Sequence, residues 1–218
     1  MKNLDQRNQI IEYSLKLNLT NLSPLRSGNI SLRVMEDDKE GYLITPSGKK
    51  YEKLKPEDIV FMGFNEEEKK IDLTNKPSSE WRFHRDIYVN KNHAQAIVHA
   101  HSPHATAVSS HGKTIPPFHY MIALAGGDDI KCAEYATFGT KELSKNVIKA
   151  LENRSACLMS NHGQVAFGKN LEDAFELAQE IENICHQYTI ALKLGQPKIL
   201  SFKEMKKVLV KAKNYKKG

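Results

Sequence analysis

The chain has 218 residues, of which 40% are hydrophobic and 27% are charged, and its 32 basic and 26 acidic residues give a net charge of +6. This composition is ordinary for a globular protein, and the length is sufficient for one domain over residues 1–218 with its own hydrophobic core. No apolar run approaches the ~20 residues that a membrane-spanning helix needs. The amino terminus has no apolar signal core, so we expect a cytoplasmic protein.

The cysteines and the basic residues argue against two further classes of protein. Cys132, Cys157 and Cys185 are odd in number and lack C-x-x-C spacing, so neither a disulfide framework nor a zinc ribbon is expected. Much of the positive charge lies in a basic tail from about residue 203. This tail could bind nucleic acid, but no surface of aromatic and arginine residues accompanies it, which favours a solvated helix face. The basic excess would also suit an anionic, phosphorylated substrate.

Hydrophobic periodicity and turn residues predict the elements of the first part of the chain. We expect a helix over residues 5–17, then a glycine-containing turn at Gly28 that leads into a strand. The next predicted elements are a hairpin partner over 41–45 closed by a turn at 46–48, a strand over 58–63, and a charged loop over 65–70. A second helix begins after Pro77, with Ser78 or Ser79 as its N-cap.

The second part of the chain alternates irregularly between strands and helices. The predicted elements are a strand over 96–101, a short helix between Pro103 and Gly112, a helix capped by Thr140, a strand over 156–160, a turn over 161–164, a strand over 165–168, and a long helix over 171–194. Because several strand pairs are hairpins, the pattern favours a mixed α/β fold with α+β character. In this fold helices flank a mostly antiparallel sheet.

The segment 96–101 contains two histidines that are candidate metal ligands. Side chains alternate between the faces of a strand, so His99 and His101 are expected to project together with Ile97. Paired imidazoles suit zinc, which in a catalytic site usually takes three protein ligands. For the spacing alone, two packing histidines are an equally good interpretation. We choose His162 as the third ligand because it lies in a tight turn between two strands, and the competing candidates are His84, His104, His111 and His119.

Glu80 is the candidate acid/base residue. A carboxylate at the start of a helix is also explained by the helix dipole, but Ser78 and Ser79 precede this one. Small hydroxyl residues and free backbone N–H groups at a helix start can bind an oxyanion or phosphate. Two further turns of small residues, Gly28-Asn29 and Ser47-Gly48, could present N–H donors to the same phosphate.

Together these segments resemble the class II aldolase/adducin family, and within it most closely the L-fuculose-1-phosphate aldolases. The resemblance runs in order over nearly the whole chain. It is carried by the segments Ser27-Gly28-Asn29-Ile30-Ser31, Ile44-Thr45-Pro46-Ser47-Gly48, Pro77-Ser78-Ser79-Glu80, His99-Ala100-His101, His119-Tyr120-Met121-Ile122-Ala123, Ala136-Thr137-Phe138-Gly139-Thr140 and Asn161-His162-Gly163.

The resemblance implies a three-layer α/β/α sandwich and a role for each matched residue. It implies a Zn²⁺ site formed by Glu80, His99, His101 and His162, in which Glu80 leaves the metal to act as acid/base. It implies a phosphate site formed by Gly28, Asn29, Ser47, Gly48, Ser78 and Ser79. Tyr120 and Tyr215 would line the aldehyde end, although Tyr215 matches only through its place near the chain end. A homotetramer with sites at subunit interfaces is implied as well.

The implied activity is zinc-dependent cleavage of L-fuculose 1-phosphate, or a related ketose 1-phosphate, to dihydroxyacetone phosphate and L-lactaldehyde or another short aldehyde. Zinc would stabilise the charge that C3–C4 scission leaves on the substrate. Two alternative enzymes are a pentulose-phosphate 4-epimerase, whose members typically carry Asp in place of Glu80, and a methylthioribulose-phosphate dehydratase. A metal-free, adducin-like scaffold is a further alternative, but such domains lack the histidine set found here.

Overall fold

The computed structural model describes residues 1–64 and 76–215, with the side chains of the last helix described as far as residue 212. The charged loop predicted over 65–70 lies outside the described residues. Six helices are present in the described part: α1 (Leu4–Leu19), α2 (Trp81–Asn90), α3 (Pro103–Ser109), α4 (Lys141–Ala150), α5 (Leu171–Lys193) and α6 (Phe202–Tyr215). Short 3₁₀ segments cover Tyr51–Lys53, Pro56–Asp58 and Tyr120–Ala125. The helices predicted from periodicity are confirmed, and the basic tail is largely helix α6.

Seven strands form one central sheet. They are β1 (Asn29–Glu36), β2 (Lys39–Ile44), β3 (Val60–Gly63), β4 (Ala96–Ala100), β5 (Cys132–Ala133), β6 (Ala156–Met159) and β7 (Gly163–Gly168). Their order across the sheet is β3-β2-β1-β4-β7-β6-β5. Every neighbouring pair is antiparallel except β5 and β6, which are parallel. The prediction of a mostly antiparallel sheet is therefore confirmed.

Helices cover both faces of the sheet, which gives the expected three layers. On one face, Ala96, Val98 and Ala100 of β4 pack in a core with residues of α1, α3, α5 and α6. On the other face, Ile97 packs in a second core with residues of α2 and α4. The small side chains of β4 on the first face allow α5 to lie close to the sheet.

Capping residues account for the starts of two helices. The Thr140 hydroxyl accepts a hydrogen bond from the backbone N–H of Leu143 at the start of α4. The Asn170 side chain accepts one from Asp173 at the start of α5. The cap at Thr140 was predicted from the sequence and is confirmed.

Two local predictions were wrong, and two short elements were missed. The turn that closes the β1–β2 hairpin is Asp37-Asp38, where both residues have positive φ, and the turn at 46–48 instead follows β2. The N-cap of α2 is Glu80 and not Ser78 or Ser79. The 3₁₀ segment Tyr120–Ala125 and the two-residue strand β5 were not predicted, because both are too short to show a hydrophobic period.

No helix within residues 1–64 and 76–215 is long and apolar enough to cross a membrane. The three cysteines are free thiols, and Cys157 and Cys185 are buried. This agrees with the expectation that the chain has no disulfide framework.

Candidate metal centre

Four side chains from separate parts of the chain converge at one end of the sheet. Glu80 is at the start of α2, His99 is in β4, His101 follows the end of β4, and His162 is in the turn between β6 and β7. One possible ligand atom from each residue can be chosen so that all four atoms lie within 4.8 Å of one another. These are the four residues that the sequence singled out as metal ligands.

The three imidazole rings are packed edge to face around a common point. Their centroids lie 4.8–4.9 Å apart, and the rings are inclined to one another by 74–79°. The Nε2 atoms of His99 and His101 are 2.9 Å apart. Glu80 completes the cluster, with Oε2 at 3.1 Å from His99 Nε2 and Oε1 at 3.1 Å from His162 Nε2.

The backbone near His162 depends on a glycine and on a left-handed residue. Asn161 has φ 54°, a conformation that asparagine tolerates better than most residues, and this turns the chain between β6 and β7. A Cβ on Gly163 would lie 2.4 Å from the carbonyl oxygen of Ala100. Glycine at this position therefore allows the start of β7 to approach the end of β4, which brings His162 beside His101.

Hydrogen bonding determines which nitrogen of His99 faces the site. His99 Nδ1 lies 2.8 Å from the backbone carbonyl oxygen of Gln164, so Nδ1 carries the proton and donates it. The other ring nitrogen, Nε2, points at the other candidate ligands and is the atom that a metal ion would bind. A backbone carbonyl that fixes the tautomer in this way is a usual partner of a metal-binding histidine.

The charges of the cluster also suit a cation. Burial alone would raise the pKa of Glu80, but the His99 and His162 rings outweigh it and hold this pKa well below its ordinary value. Burial, together with His99 and His162, lowers the pKa of His101 to about 3. Near neutral pH the site therefore combines an ionised carboxylate with an unprotonated imidazole at His101.

The donor atoms fit a divalent metal ion. Glu80 Oε1 is buried and lies 3.1 Å from His162 Nε2, but it makes no hydrogen bond of regular geometry to the residues that the structure describes. The Nε2 atoms of His99 and His101 face each other at 2.9 Å, and this contact is favourable only with a proton or a cation between them. A buried carboxylate oxygen beside converging imidazole nitrogens is the donor set that zinc and related ions bind.

Glu80 does not use its side chain as a helix cap. It occupies the N-cap position of α2, but its carboxylate makes no capping hydrogen bond. The Ser78 hydroxyl instead accepts a hydrogen bond from the backbone N–H of Glu80 at 3.3 Å. The carboxylate is thus turned toward the histidines, which is why the simple helix-dipole interpretation of Glu80 does not suffice.

Hydrogen bonds join the three turns that the sequence predicted to bind phosphate. Thr45 N–H donates to the carbonyl oxygen of Ile30 at 3.1 Å, and Ser78 N–H donates to that of Thr45 at 2.9 Å. Arg26 Nη1 donates to the carbonyl oxygen of Gly48 at 2.9 Å. The predicted phosphate residues are thereby brought to neighbouring loops, and they are Gly28, Asn29, Ser47, Gly48, Ser78 and Ser79.

One of these residues also has a direct contact with the candidate metal ligands. The Asn29 side chain is 4% exposed and donates from Nδ2 to Glu80 Oε2 at 2.9 Å. A Cβ on the preceding Gly28 would lie 2.6 Å from the carbonyl oxygen of His99, so glycine is needed there for close approach. The start of β1 is thus in contact with both the end of β4 and the start of α2.

A cavity of about 310 Å³ opens beside Glu80, His101 and His162. The aromatic residues Tyr135 and Phe138 line it and are 63% and 64% exposed. Neither was identified as a site residue from the sequence. A signal was available, because Phe138 belongs to the segment 136–140 that carries the family resemblance. In the structure Gly139 of this segment has a φ of 76°, and a Cβ there would be 2.8 Å from the carbonyl oxygen of Ser79.

Of the two tyrosines predicted at the aldehyde end, Tyr120 does not line this cavity. Tyr120 is 54% exposed and begins a 3₁₀ segment that packs against α6. Tyr215 is the last residue of α6, and its side chain lies outside the described residues. The competing histidines, His84, His104, His111 and His119, do not belong to the cluster of converging ligands.

Comparison with known proteins agrees with this geometry. The family model of the class II aldolase and adducin N-terminal domain matches residues 8–189. An L-fuculose phosphate aldolase of Escherichia coli K12 is 45% identical over 208 residues, which are 95% of this chain and 94% of that protein. A 5-methylthioribulose-1-phosphate/5-deoxyribulose-1-phosphate aldolase of Rhodospirillum rubrum is 43% identical over 209 residues, which are 96% of this chain and 91% of that protein.

A solved structure of an L-fuculose 1-phosphate aldolase has the same fold, with a TM-score of 0.88, 38% identity, and 98% of each chain covered. Sequence and structural similarity thus extend over nearly the whole chain, and they include the segments that bring the glutamate and histidines together. The chain belongs to the class II aldolase and adducin family, as one of its lyases.

Proposed function

We propose that the protein is a zinc-dependent aldolase that cleaves L-fuculose 1-phosphate, or a related ketose 1-phosphate, to dihydroxyacetone phosphate and a short aldehyde. From L-fuculose 1-phosphate the aldehyde is L-lactaldehyde. The observation that carries this proposal is the convergence of Glu80, His99, His101 and His162. The names of the relatives support it, since each denotes an aldolase that acts on a sugar phosphate.

Zinc is the proposed metal because three imidazole nitrogens and one carboxylate are ligands that it commonly takes. When bound, the ion would act as a Lewis acid that stabilises negative charge on the substrate oxygens as the C3–C4 bond breaks. His99, His101 and His162 would hold the ion. The hydrogen bond from His99 Nδ1 to the carbonyl oxygen of Gln164 keeps that ring in the required orientation.

Glu80 is the proposed acid/base residue because its two oxygens lie in different environments. Oε2 accepts a hydrogen bond from Asn29, whereas Oε1 faces His162 Nε2 at 3.1 Å and makes no hydrogen bond of regular geometry within the described chain. Oε1 would therefore carry the proton that C3 gains after bond cleavage, or take that proton in the reverse direction. The anchored Oε2 limits the motion of the carboxylate during this transfer.

The joined turns would bind the substrate phosphate. The proposed neutral donors are the hydroxyls of Ser47, Ser78 and Ser79 and the backbone N–H groups of Gly28, Asn29 and Gly48, because the backbone N–H groups of Ser47 and Ser78 already donate to Lys76 and Thr45. Ser79 lines the same cavity as Glu80, so a phosphate bound at this turn lies at the mouth of the candidate metal site. Binding the phosphate away from the breaking bond would hold the sugar in position for cleavage.

Tyr120 and Tyr215 are proposed to complete the aldehyde end of the site in a neighbouring copy of the chain. Tyr120 is more than half exposed, and the segment that it begins packs against α6, at whose end Tyr215 lies. Exposed apolar side chains in α6, Phe202 at 71% and Val210 at 59%, offer a surface that a second copy could cover. A homotetramer with sites at its subunit interfaces is the proposed assembly.

The chain is proposed to act as one class II aldolase-like domain over residues 1–218. The family model covers residues 8–189, and the named relatives align over 95% or more of the chain. The proposed cellular location is the cytoplasm, which is supported by free, buried thiols at Cys157 and Cys185.

A second candidate substrate is 5-methylthioribulose 1-phosphate or 5-deoxyribulose 1-phosphate. It is favoured by the exposed aromatic side chains of Tyr135 and Phe138 in the cavity, which would suit an apolar end of the departing aldehyde. The chemistry would be the same, and only the aldehyde would differ. L-Lactaldehyde carries a hydroxyl that the aldehydes from the other two substrates lack, so the relative rates on these substrates report whether the site binds that hydroxyl or an apolar group.

A panel of ketose phosphates tests the proposed reaction. Zinc-loaded protein is incubated separately with L-fuculose 1-phosphate, 5-methylthioribulose 1-phosphate and a pentulose 5-phosphate, and triose phosphate release is followed by coupled NADH oxidation. Release from a 1-phosphate is expected. Epimerisation of the pentulose 5-phosphate, or loss of water from the methylthioribulose phosphate without triose release, would contradict the proposal.

Glu80→Gln tests the assigned acid/base role separately. The amide keeps the shape of the side chain but cannot transfer the proton, so kcat should fall by ~10²–10⁴. One equivalent of zinc should still bind, because three histidines remain. A variant with wild-type turnover would show that another group transfers the proton.

A further inference from the structure

A continuous series of buried hydrogen bonds leads from the core of the protein to Glu80. Tyr88 OH lies 2.8 Å from Ser31 Oγ, and Ser31 Oγ lies 2.7 Å from His84 Nδ1. His84 Nε2 lies 2.5 Å from Asn29 Oδ1, and Asn29 Nδ2 lies 2.9 Å from Glu80 Oε2. Ser31, His84 and Tyr88 are 0% exposed, while Asn29 and Glu80 are 4% and 5% exposed.

The carboxylate fixes the direction of every bond in this series. An ionised carboxylate only accepts hydrogen bonds, so Asn29 must present its NH₂ group to Glu80 and its carbonyl oxygen to His84. His84 Nε2 must then be the protonated nitrogen, which leaves Nδ1 as an acceptor for the Ser31 hydroxyl. Ser31 in turn accepts from Tyr88, and all four bonds donate toward Glu80.

The neutral state of His84 agrees with this direction. Burial, with a smaller contribution from His99, lowers the pKa of His84 to about 3. A neutral imidazole has one protonated nitrogen and one acceptor nitrogen, which is what Asn29 and Ser31 require. A protonated ring would present a donor from both nitrogens, and Ser31 would then have to reverse.

The arrangement is more specific than packing requires. His84 and Tyr88 are one turn apart on the inner face of α2, and Ser31 and Asn29 are two residues apart on one face of β1. Apolar side chains of similar size at a buried helix–sheet contact are often as stable as a hydrogen-bonded polar set. Because this series of buried polar side chains ends on the Glu80 carboxylate, we infer that it serves the candidate metal centre and not only the packing of α2 on the sheet.

We propose that His84 is a positioning residue, which holds the Asn29 amide in the orientation that donates to Glu80 Oε2 and so fixes the carboxylate as a metal ligand. Without the donor at His84 Nε2, the amide is free to rotate and place its carbonyl oxygen against the carboxylate. The inference rests on the proposed function insofar as Glu80 binds the metal and transfers a proton. The role of His84 itself is only to orient Asn29.

Two nearly isosteric substitutions provide the test. Gln places an amide NH₂ at the same number of bonds from the backbone as His Nε2, whereas Met has a methyl group there. His84→Gln can therefore still donate to Asn29, and His84→Met cannot. The Gln amide oxygen can also accept from the Ser31 hydroxyl, so the pair compares a polar side chain that can keep the series of hydrogen bonds with an apolar side chain that breaks it.

Zn²⁺ affinity is measured first, by competition of each metal-free protein with a chromophoric chelator. We expect His84→Met to bind Zn²⁺ ~10-fold more weakly than wild type, as is usual for loss of an outer partner of a metal ligand, and His84→Gln to stay within ~3-fold. Equal affinity in all three proteins, or equal weakening in both variants, would overturn the proposal. Because the measurement of Zn²⁺ affinity needs no turnover, its result does not depend on whether the proposed aldolase reaction is correct.

Kinetics with L-fuculose 1-phosphate at saturating Zn²⁺ provide the second readout. His84→Met should lower kcat by ~10-fold with KM within ~2-fold, and His84→Gln should restore most of kcat. A general loss of structure would instead lower thermal stability and raise KM in both variants. If His84→Met does not fold, Ser31→Ala removes the hydroxyl that orients the ring with little change in volume. Wild-type Zn²⁺ affinity in Ser31→Ala would then overturn the proposal.

Discussion

His84 should make the folded protein sensitive to acid. Its ring is fully buried and its two nitrogens are hydrogen bonded to Ser31 and Asn29. Burial lowers the pKa of His84 to about 3 in the folded protein, whereas an unfolded histidine has a pKa of ~6.5. Replacing the ring by a side chain that does not titrate should remove this part of the pH dependence of stability.

The sign and size of the effect follow from the two pKa values. Above pH ~6.5 the ring is neutral in both states and adds no pH dependence. Below it, the unfolded chain binds a proton that the folded chain does not, so the free energy of unfolding falls by ~1.4 kcal/mol per pH unit. At pH ~4 the accumulated loss is ~3 kcal/mol, a large part of the ~5–15 kcal/mol that stabilises a typical domain.

Urea unfolding of wild type and His84→Gln from pH 7.5 to 4 measures this effect. Fluorescence of Trp81, the single tryptophan, reports the transition, and a chelator removes metal so that metal binding adds no pH dependence of its own. The stability difference between the two proteins should change by ~3 kcal/mol in favour of the variant as the pH falls. The matched control is His111→Gln, an exposed histidine outside the site, for which we expect no such change. Parallel pH profiles for wild type and His84→Gln would refute the reasoning.

Two further predictions concern the metal centre and the backbone around it. Gly163→Ala places a methyl group 2.4 Å from the carbonyl oxygen of Ala100, so it should lower stability by ~1–3 kcal/mol in thermal unfolding and weaken Zn²⁺ binding in a chelator competition. The matched control is Gly168→Ala at the other end of β7, where a Cβ would lie 2.5 Å from the backbone nitrogen of Ala174, and this variant should lose stability but keep its Zn²⁺ affinity. Unchanged Zn²⁺ affinity in Gly163→Ala would contradict the explanation. In the same assay, Zn²⁺ at about 100 times its dissociation constant should raise the free energy of unfolding by ~2.7 kcal/mol. If Zn²⁺ raised the free energy of unfolding of His162→Ala by the same amount, the metal would bind elsewhere.

The three candidate histidine ligands could be predicted because local patterns marked each of them, whereas Glu80 was expected as a ligand only through the family resemblance. Strand alternation placed His99 on one face of β4, and that residue does face away from the core formed by Val98 and Ala100. His101 lies just beyond the strand end, yet its ring still reaches the cluster. His162 was chosen because a histidine in a tight turn is displayed, and it is in such a turn.

Features that depend on tertiary contacts could not be predicted in the same way. Asp37-Asp38 has no glycine, so the hairpin turn gave only a weak signal even though both residues adopt positive φ. The N-cap of α2 was assigned to serine because serine is the better cap in isolation. The His99 and His162 rings, which lie far away in the sequence, draw the Glu80 carboxylate away from the helix end.

The antiparallel order of three strands explains why residues so far apart in the sequence form one site. Asn29 at the start of β1 is paired with His99 near the end of β4, and His99 is paired with Val165 near the start of β7. Antiparallel neighbours place the start of one strand beside the end of the next, so Asn29, His99 and His162 reach the same edge of the sheet. A shift of β4 by one residue would turn His99 to the opposite face and separate it from Glu80. The register that buries Val98 against α5 and Ile97 against α2 is therefore the same register that assembles the candidate metal centre.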